Sequence, residues 1–486
     1  MKTKICMQER FSEEQYEQMI DALFHRFPSF QKVGAGAYKP GIGNMEFIDQ
    51  LLGHPHKQYK IIHVAGTNGK GSVSNMLTSV LSALGFKVGL YTSPHIIDFR
   101  ERIRVCHPGT SCNLGTSCNP ERSEESPLLI SKQAVWDFVH KWQDTFDHLD
   151  MSFFEITTAM ALQWFADQEV DYVVLETGLG GRLDSTNIVT PVLSVITNIG
   201  LDHCDLLGET LQEVAFEKAG IIKPCVSVVV GESSDATDAV FERKVLYTNL
   251  PEPNFMGNRA AIMSLLAFAD KGEPKLWNEH EDILLEMDLK GEYQRKNLRT
   301  VLAALQALNQ VCGVCREYDE KSMSAIRDAI VNTAERTGFH GRWEQVSDSP
   351  RMICDIGHNE HGLKYNFAQL ARMKSAGEIG NLIVVYGSVA DKDVDSVIHL
   401  MPDDATYVFT QASSKRALAA SVIYEKYKSF CDSEGRSCGD VYCCDTVESA
   451  VEKAQELAAS DPSALIYVGG STYVVSETVA MLNQND

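Results

Sequence analysis

The chain has 486 residues, 44% of them hydrophobic and 23% charged, with a formal net charge of −22. That length exceeds a single hydrophobic core and predicts two or three domains, while the acidic balance excludes general affinity for nucleic acid or anionic membranes. No apolar run follows Met1 and no apolar stretch of about 18 residues occurs, so neither a signal peptide nor a membrane span is expected, and 13 scattered cysteines fit free thiols in a reducing cytoplasm.

Residues 12–25 have the apolar spacing of an amphipathic helix, followed by a Gly/Pro-rich segment from Gly34 to Gly43. Ile61-Ile-His-Val-Ala then reads as a short strand running into Gly66-Thr-Asn-Gly-Lys-Gly-Ser72 and a helix marked by Val73, Met76, Leu77, Val80, Leu81 and Leu84. Three glycines let the backbone turn its N–H groups onto an anion. Lys70 adds a point charge, and the helix start adds the positive end of its dipole. This is a phosphate cradle, although its spacing departs from the usual P-loop: Val64 stands where the first glycine belongs, and Gly71 directly follows the lysine.

Lys87–Tyr91 reads as the next strand, and 172–176, 193–197 and 226–230 repeat the strand–helix alternation, which predicts a doubly wound α/β domain. Residues 106–127 break the pattern. Gly109-Thr-Ser-Cys-Asn113 recurs as Gly115-Thr-Ser-Cys-Asn119 in a Gly/Ser/Pro/Glu-rich run, which reads as a solvent-exposed, mobile insertion; a metal or redox role for Cys106, Cys112 and Cys118 is the sharper alternative. A helix pair, about 296–312 and 320–335, precedes a hinge at Thr337–Gly341. Strands at 382–386, 406–410 and 464–468 then predict a second, smaller α/β domain without a phosphate loop.

Glu176 ends an apolar strand and opens Thr177-Gly-Leu-Gly-Gly-Arg-Leu-Asp-Ser-Thr-Asn187; a carboxylate there, beside a phosphate loop, suits Mg²⁺, against the plainer reading of a solvated loop residue. Asp202 and His203 also follow a strand, and a lone histidine is commonly structural. Lys218 lies in an apolar setting that would lower its pKa and make it a nucleophile toward CO₂.

Taken in order, Gly-Thr-Asn-Gly-Lys-Gly-Ser (66–72), Thr-Ser-Pro-His (92–95), Phe-Phe-Glu (153–155), Glu-x-Gly-x-Gly-Gly-Arg-Leu-Asp-x-Thr-Asn (176–187), Gly-Leu-Asp-His (200–203), Glu-Lys-Ala-Gly-Ile-Ile-Lys (217–223), Gly-x-x-Gln-x-x-Asn (291–297), Gly-Arg (341–342), Asp-x-x-His-Asn (355–359) and Ala-Asp-Lys-Asp (390–393) resemble the folylpolyglutamate synthase/dihydrofolate synthase family of the Mur ligase superfamily. The resemblance spans nearly the whole chain. It implies a Mur-ligase-like P-loop domain over 1–338, a hinge at 339–344 and a smaller Rossmann-like glutamate-ligase domain over 345–486.

It further implies that Gly66, Thr67, Asn68, Gly69, Lys70, Gly71 and Ser72 hold the ATP phosphates, with Asn297 on the adenine and Arg342 and Asp355 completing the nucleotide site. Ser93, Glu176 and His203 would hold Mg²⁺, and Lys218, as a carbamate, a second Mg²⁺; K⁺ is a further implied cation. Phe153, Phe154, Glu155, Leu183, Asp184 and Ser185 would line a pterin pocket, and His358 would help place L-glutamate. The implied enzyme is a monomeric cytoplasmic ligase that joins glutamate to dihydropteroate or folate through an acyl phosphate, with no nucleic-acid or membrane partner. Two departures stand out: Tyr293 occupies a position where the family often has His, and Glu360 replaces Pro after His-Asn. Another Mur-type amino-acid ligase is the nearest alternative, and a nucleotide switch the one from a different class.

Overall fold

The computed structural model describes residues 11–26, 41–109, 128–250, 259–272, 281–315, 319–436 and 439–485. Two open sheets organise them. The first contains β1 (Lys60–Ala65), β2 (Val88–Tyr91), β3 (Ile103–Cys106), β4 (Leu128–Leu129), β5 (Tyr172–Glu176), β6 (Leu193–Ile196), β7 (Ser227–Val230) and β8 (Leu266–Phe268). Their order is β4-β3-β2-β5-β1-β6-β7-β8, parallel throughout except at the β2–β3–β4 edge. The expected strands are present; the edge pair β3–β4 was not foreseen. Two- and four-residue strands carry little periodicity to read.

Burial explains the sequence of the central strands. In β5 all five residues are buried, and in β1 only Lys60 is exposed, so both read as continuous apolar runs, as parallel strands covered on both faces do. Register sets up the site. Val64 lies opposite Glu176, and Tyr91 opposite Leu175, so the loops leaving β1, β2 and β5 emerge side by side. The helix after the phosphate loop (Lys70–Ala83) is buried from Gly71 to Ser82. It packs between the sheet and the helices Gln294–Cys312 and Glu320–Val331. Its polar residues are paired inward: Ser79 Oγ donates to Ala329 O at 2.7 Å and Asn75 Nδ2 to Gly71 O at 2.7 Å.

The second sheet holds β9 (Glu344–Asp348), β10 (Arg351–Asp355), β11 (Leu382–Tyr386), β12 (Thr406–Phe409), β13 (Val441–Cys443) and β14 (Leu465–Gly469), ordered β13-β12-β11-β14-β10-β9 with only β9 antiparallel. It has its own apolar clusters on both faces. Glu344, expected in the hinge, already begins β9. The helix expected over 320–335 is divided at Asn332, whose φ of −108° and ψ of 35° leave the helical region, giving Glu320–Val331 and Thr333–Thr337.

Cys106, placed by the sequence reading at the start of the insertion, is the last residue of β3. It is buried, and burial pushes its thiol up to about 11, which disfavours the thiolate that a metal or redox role would need. Residues 110–127, with Cys112 and Cys118, lie outside the described residues, as do 34–40 of the Gly/Pro-rich segment. Among the described residues no helix is long and apolar enough to cross a membrane.

Candidate active site

The carboxyl ends of β1, β2, β5 and β6 face the carboxyl ends of β10, β11 and β14, and two cavities lie in the crevice between them. One, about 270 Å³, is lined on its apolar side by Phe153, Phe154, Leu179 and Leu183. The other, about 170 Å³, is lined by the phosphate loop with Asn297, Arg342 and Asp355. They share Thr67, Lys70, Ser93, Pro94, His358 and Thr472. The two cavities therefore meet at Lys70.

The phosphate loop has the conformation its glycines demand. Gly66 has φ +151°, and a Cβ there would collide with Thr197 Oγ1; Gly69 has φ +81°, and a Cβ there would strike Asn297 Oδ1. Lys70 Nζ donates to Gly66 O at 3.0 Å and Thr67 O at 3.2 Å, folding the ammonium over the loop. Ser72 Oγ accepts from Gln294 Nε2 at 3.2 Å, and Asn297 Nδ2 donates to Gln294 Oε1 at 2.8 Å. Arg342 lies over the Phe339 ring at 5.1 Å. Asp355 accepts from Tyr293 Oη at 2.7 Å and Trp343 N at 2.9 Å. The Tyr293 departure thus ties the first domain to the nucleotide cavity's aspartate.

Glu176 is buried at the end of β5, and its Oε2 accepts from Ser93 N at 3.2 Å. Burial raises its pKa, opposed by Lys70, Ser93 and Arg342. His203 is held neutral at neutral pH, its pKa pushed down to about 3 by burial, which leaves a ring nitrogen able to ligate. Lys218 is buried with Nζ donating to Gly66 O at 2.9 Å. Burial, then the nearby Lys70, push its pKa down to about 7, so a large share of the amine is unprotonated near neutrality. Ser93 lines both cavities, His203 the first and Glu176 the second. A hydroxyl, a carboxylate and a neutral imidazole are donor types that suit Mg²⁺ beside phosphate and water, and among the described residues no three His, Cys, Asp or Glu side chains are already gathered around a metal-sized site.

Phe153 stacks on Phe24 at 4.3 Å between ring centroids, and Arg102 lies over the Phe153 ring at 5.4 Å. Phe154 covers Gly178, where a Cβ would come within 2.5 Å of the ring. Leu183, Asp184 and Ser185 reach the same cavity. Glu155 does not. Its Oε2 accepts from Ser152 N at 2.6 Å while Ser152 Oγ accepts from Glu155 N at 3.3 Å. That reciprocal pair is a helix capping box, so Glu155 sets where helix Phe153–Asp167 begins instead of lining the pocket.

Sequence reasoning missed the contacts that join the two halves. Asp202 meets Lys392 in an ion pair and accepts from Asn359 Nδ2 at 2.9 Å; His358 Nε2 lies 3.6 Å away and His203 Nε2 3.8 Å. Burial alone would raise Asp202, but His358, His203 and Lys392 hold its carboxyl well below the usual carboxylate range. Asn68 and Asn359 exchange amide hydrogen bonds at 3.1 Å in both directions. Arg102, Arg416 and Tyr473 also line the larger cavity. Asn68, Asp202, His358, Asn359 and Lys392 each stand in a motif quoted above, but no motif shows what lies opposite it, and Arg102, Arg416 and Tyr473 carried no signal.

Comparison with known proteins agrees in both halves. Residues 145–305 match the Mur ligase middle domain and residues 341–472 the Mur ligase glutamate ligase domain. The chain is 34% identical to the dihydrofolate synthase/folylpolyglutamate synthase of Bacillus subtilis (strain 168), over 80% of this chain and 84% of that one. It is 34% identical to the protein of the same description from Escherichia coli (strain K12), over 73% of each. Among solved structures, E. coli FolC in complex with DHPP and ADP superposes with a TM-score of 0.73 at 25% identity, over 97% of this chain and 98% of that one.

Proposed function

The chain belongs to the dihydrofolate synthase/folylpolyglutamate synthase family of Mur ligases, and from that premise we propose that it is an ATP-dependent ligase that adds L-glutamate to dihydropteroate and to folates already carrying glutamate. The observation that carries the reading is the junction of the two cavities at Lys70, Ser93 and His358. One cavity suits a flat aromatic ring between Phe154, Leu179 and Leu183; the other suits a nucleoside triphosphate on the phosphate loop.

The substrate carboxylate reaches the γ-phosphorus from the aromatic side. A carboxylate oxygen forms the new P–O bond, the bond to ADP breaks, and an acyl phosphate results. Lys70 and the backbone N–H groups of 66–72 face the oxygens on which charge accumulates, where fixed donors count most. Ser93, Glu176 and His203, and Lys218 once its free amine has taken up CO₂ as a carbamate, would hold Mg²⁺, which supplies neutralisation of phosphate charge when bound. The glutamate amine then forms the amide bond at the acyl carbon, phosphate departs with the bonding pair, and the amine gives up a proton. His358 and Lys392 stand on the second domain's side of the junction, where this amino acid arrives. Closure of the two domains keeps water from hydrolysing the acyl phosphate.

The test is product formation. ADP release requires dihydropteroate or a reduced folate together with L-glutamate; equal ADP release with either alone counts against a ligase. Turnover on dihydropteroate compared with turnover on a reduced folate separates one activity from two.

A further inference from the structure

His63 is fully buried in β1, just ahead of the phosphate loop, and no step above uses it. Its Nε2 lies 2.8 Å from Thr186 Oγ1, and Thr186 Oγ1 lies 2.5 Å from Asp184 Oδ1. Thr186 is buried too, whereas Asp184 reaches the aromatic cavity. The direction of these bonds follows from the proton count. A hydroxyl has one proton to give, and an ionised carboxylate only accepts; burial raises the Asp184 pKa, but the N–H groups of Leu179, Thr186 and Gly178 and the Thr186 hydroxyl oppose it and favour that ionised form. Thr186 therefore donates to Asp184 and accepts from His63, which must carry its proton on Nε2.

Burial, with Lys223 adding to it, pushes His63 down to about 3, so the ring stays neutral and Nδ1 is bare. That nitrogen is buried without a partner among the described residues. A bare buried acceptor is a cost that Leu or Phe at this position would avoid. The compensation is on the other nitrogen: a one-way chain of donors that runs from the interior to the cavity, each bond polarising the next. Asp184 also accepts from Leu179 N at 2.8 Å and Thr186 N at 3.0 Å, so both its oxygens are fixed.

We infer that His63 and Thr186 are positioning residues that hold Asp184 as a fixed, acceptor-only carboxylate for the donor edge of the pterin ring. The inference rests on the reading of this cavity as the folate site. A pterin presents an amino group beside a ring N–H, and a carboxylate that cannot donate selects such an edge over one bearing acceptors.

The experiment compares the wild type with His63→Gln and His63→Leu. It measures dihydropteroate binding by fluorescence titration, separate KM values for dihydropteroate, ATP and glutamate, and thermal melting to verify folding. Gln places an amide N–H near Nε2 and keeps the pterin KM close to wild type. Leu fills the space without a donor and raises both Kd and KM for dihydropteroate about tenfold, the loss of one buried hydrogen bond, with the KM for ATP unchanged. Thr186→Val acts as the second variant should His63→Leu fail to fold, and it produces the same selective loss, whereas Thr186→Ser does not. A folded His63→Leu protein that binds dihydropteroate as the wild type does would overturn the inference. So would equal loss toward ATP and dihydropteroate, which would place the effect in β1 and the phosphate loop. A wild type that fails to bind dihydropteroate brings down the folate reading and the relay together, whereas wild-type binding matched by His63→Leu brings down the relay alone.

Discussion

Both sheets obey the same rule: each gathers its functional residues at the carboxyl ends of its parallel strands, on the loops there and on the helix ends beside them. They differ in what those loops hold. The first sheet offers groups fixed by burial and backbone geometry: the glycine loop, Glu176 at the end of β5, and Lys218 bonded to Gly66 O. The second offers longer, partly exposed polar side chains, His358, Lys392 and Arg416, on loops after β10, β11 and β12. Under the proposed function, the division would give chemistry on the phosphate to one domain and delivery of the second substrate to the other. Substitutions in the first should therefore remove turnover, and substitutions in the second should mainly weaken affinity.

Lys70→Ala is the severest challenge to that division. It removes the only side-chain cation of the phosphate loop, and kcat should fall by roughly a thousandfold, about 4 kcal/mol of transition-state stabilisation. Near-normal turnover in a coupled ADP assay would refute the cradle. Lys218→Ala should cost less, roughly a hundredfold, because acetate can diffuse into the space and partly restore activity as a detached carboxylate. The same lysine gives a pH test with a defined sign. Its pKa of about 7, against 10.5 for the free group, means that acid protonates the amine and blocks its reaction with CO₂. Carbamate signal from ¹³C-bicarbonate in NMR should fall as pH drops through about 7. Between that value and 10.5 the unfolded chain holds the extra proton, so this lysine's contribution to stability rises with pH. A carbamate signal that persists at pH 5.5 would break the assignment.

Asn359→Ala tests the other half. It deletes the amide exchange with Asn68 and one donor to Asp202, so it loosens the second domain from the phosphate loop without touching Lys70. The KM for glutamate should rise about tenfold, about 1.4 kcal/mol for three partly exposed hydrogen bonds, with kcat little changed. A kcat collapse instead would mean that the two domains do not divide the work this way.

The sequence made the first sheet's contribution legible because it is local. A strand, a glycine turn, a lysine and a helix are contiguous from 61 to 84, and their residue types suffice to imply a phosphate cradle. Glu176 was legible for the same reason, as the end of an apolar strand. What escaped was whatever depends on juxtaposition. Asp202 gathers partners from 358, 359 and 392, and no spacing rule connects those numbers. Glu155 misled because a motif names residues without saying which way they point: Phe153 and Phe154 face the cavity, while the third position closes the cap. The edge strands beside 110–127 were missed because two to four residues cannot display an alternation.

Tyr293 is where the two sheets' contributions overlap most closely, and the expected effect there is the smallest. Its hydroxyl, on the first domain, donates to Asp355 Oδ2, on the second, at 2.7 Å. The same carboxylate also accepts from Trp343 N at 2.9 Å, Gly357 N at 2.7 Å and Asn366 Nδ2 at 2.7 Å. Tyr293→Phe therefore leaves Asp355 with three donors and its position nearly unchanged. The cost should be that of one neutral-to-charged hydrogen bond partly compensated, about 1 kcal/mol or roughly fivefold. It should appear in the KM for ATP, because Tyr293 and Asp355 both line the nucleotide cavity, and leave the KM for folate unaltered. A loss as large as that of Lys70→Ala would mean that Tyr293 acts on the transferring phosphoryl group. No change at all would mean that the domains dock on the nucleotide without this bond, leaving contacts such as Asn68–Asn359, Lys392–Asp202, Lys296–Tyr365 and Arg372–Glu292 to link them.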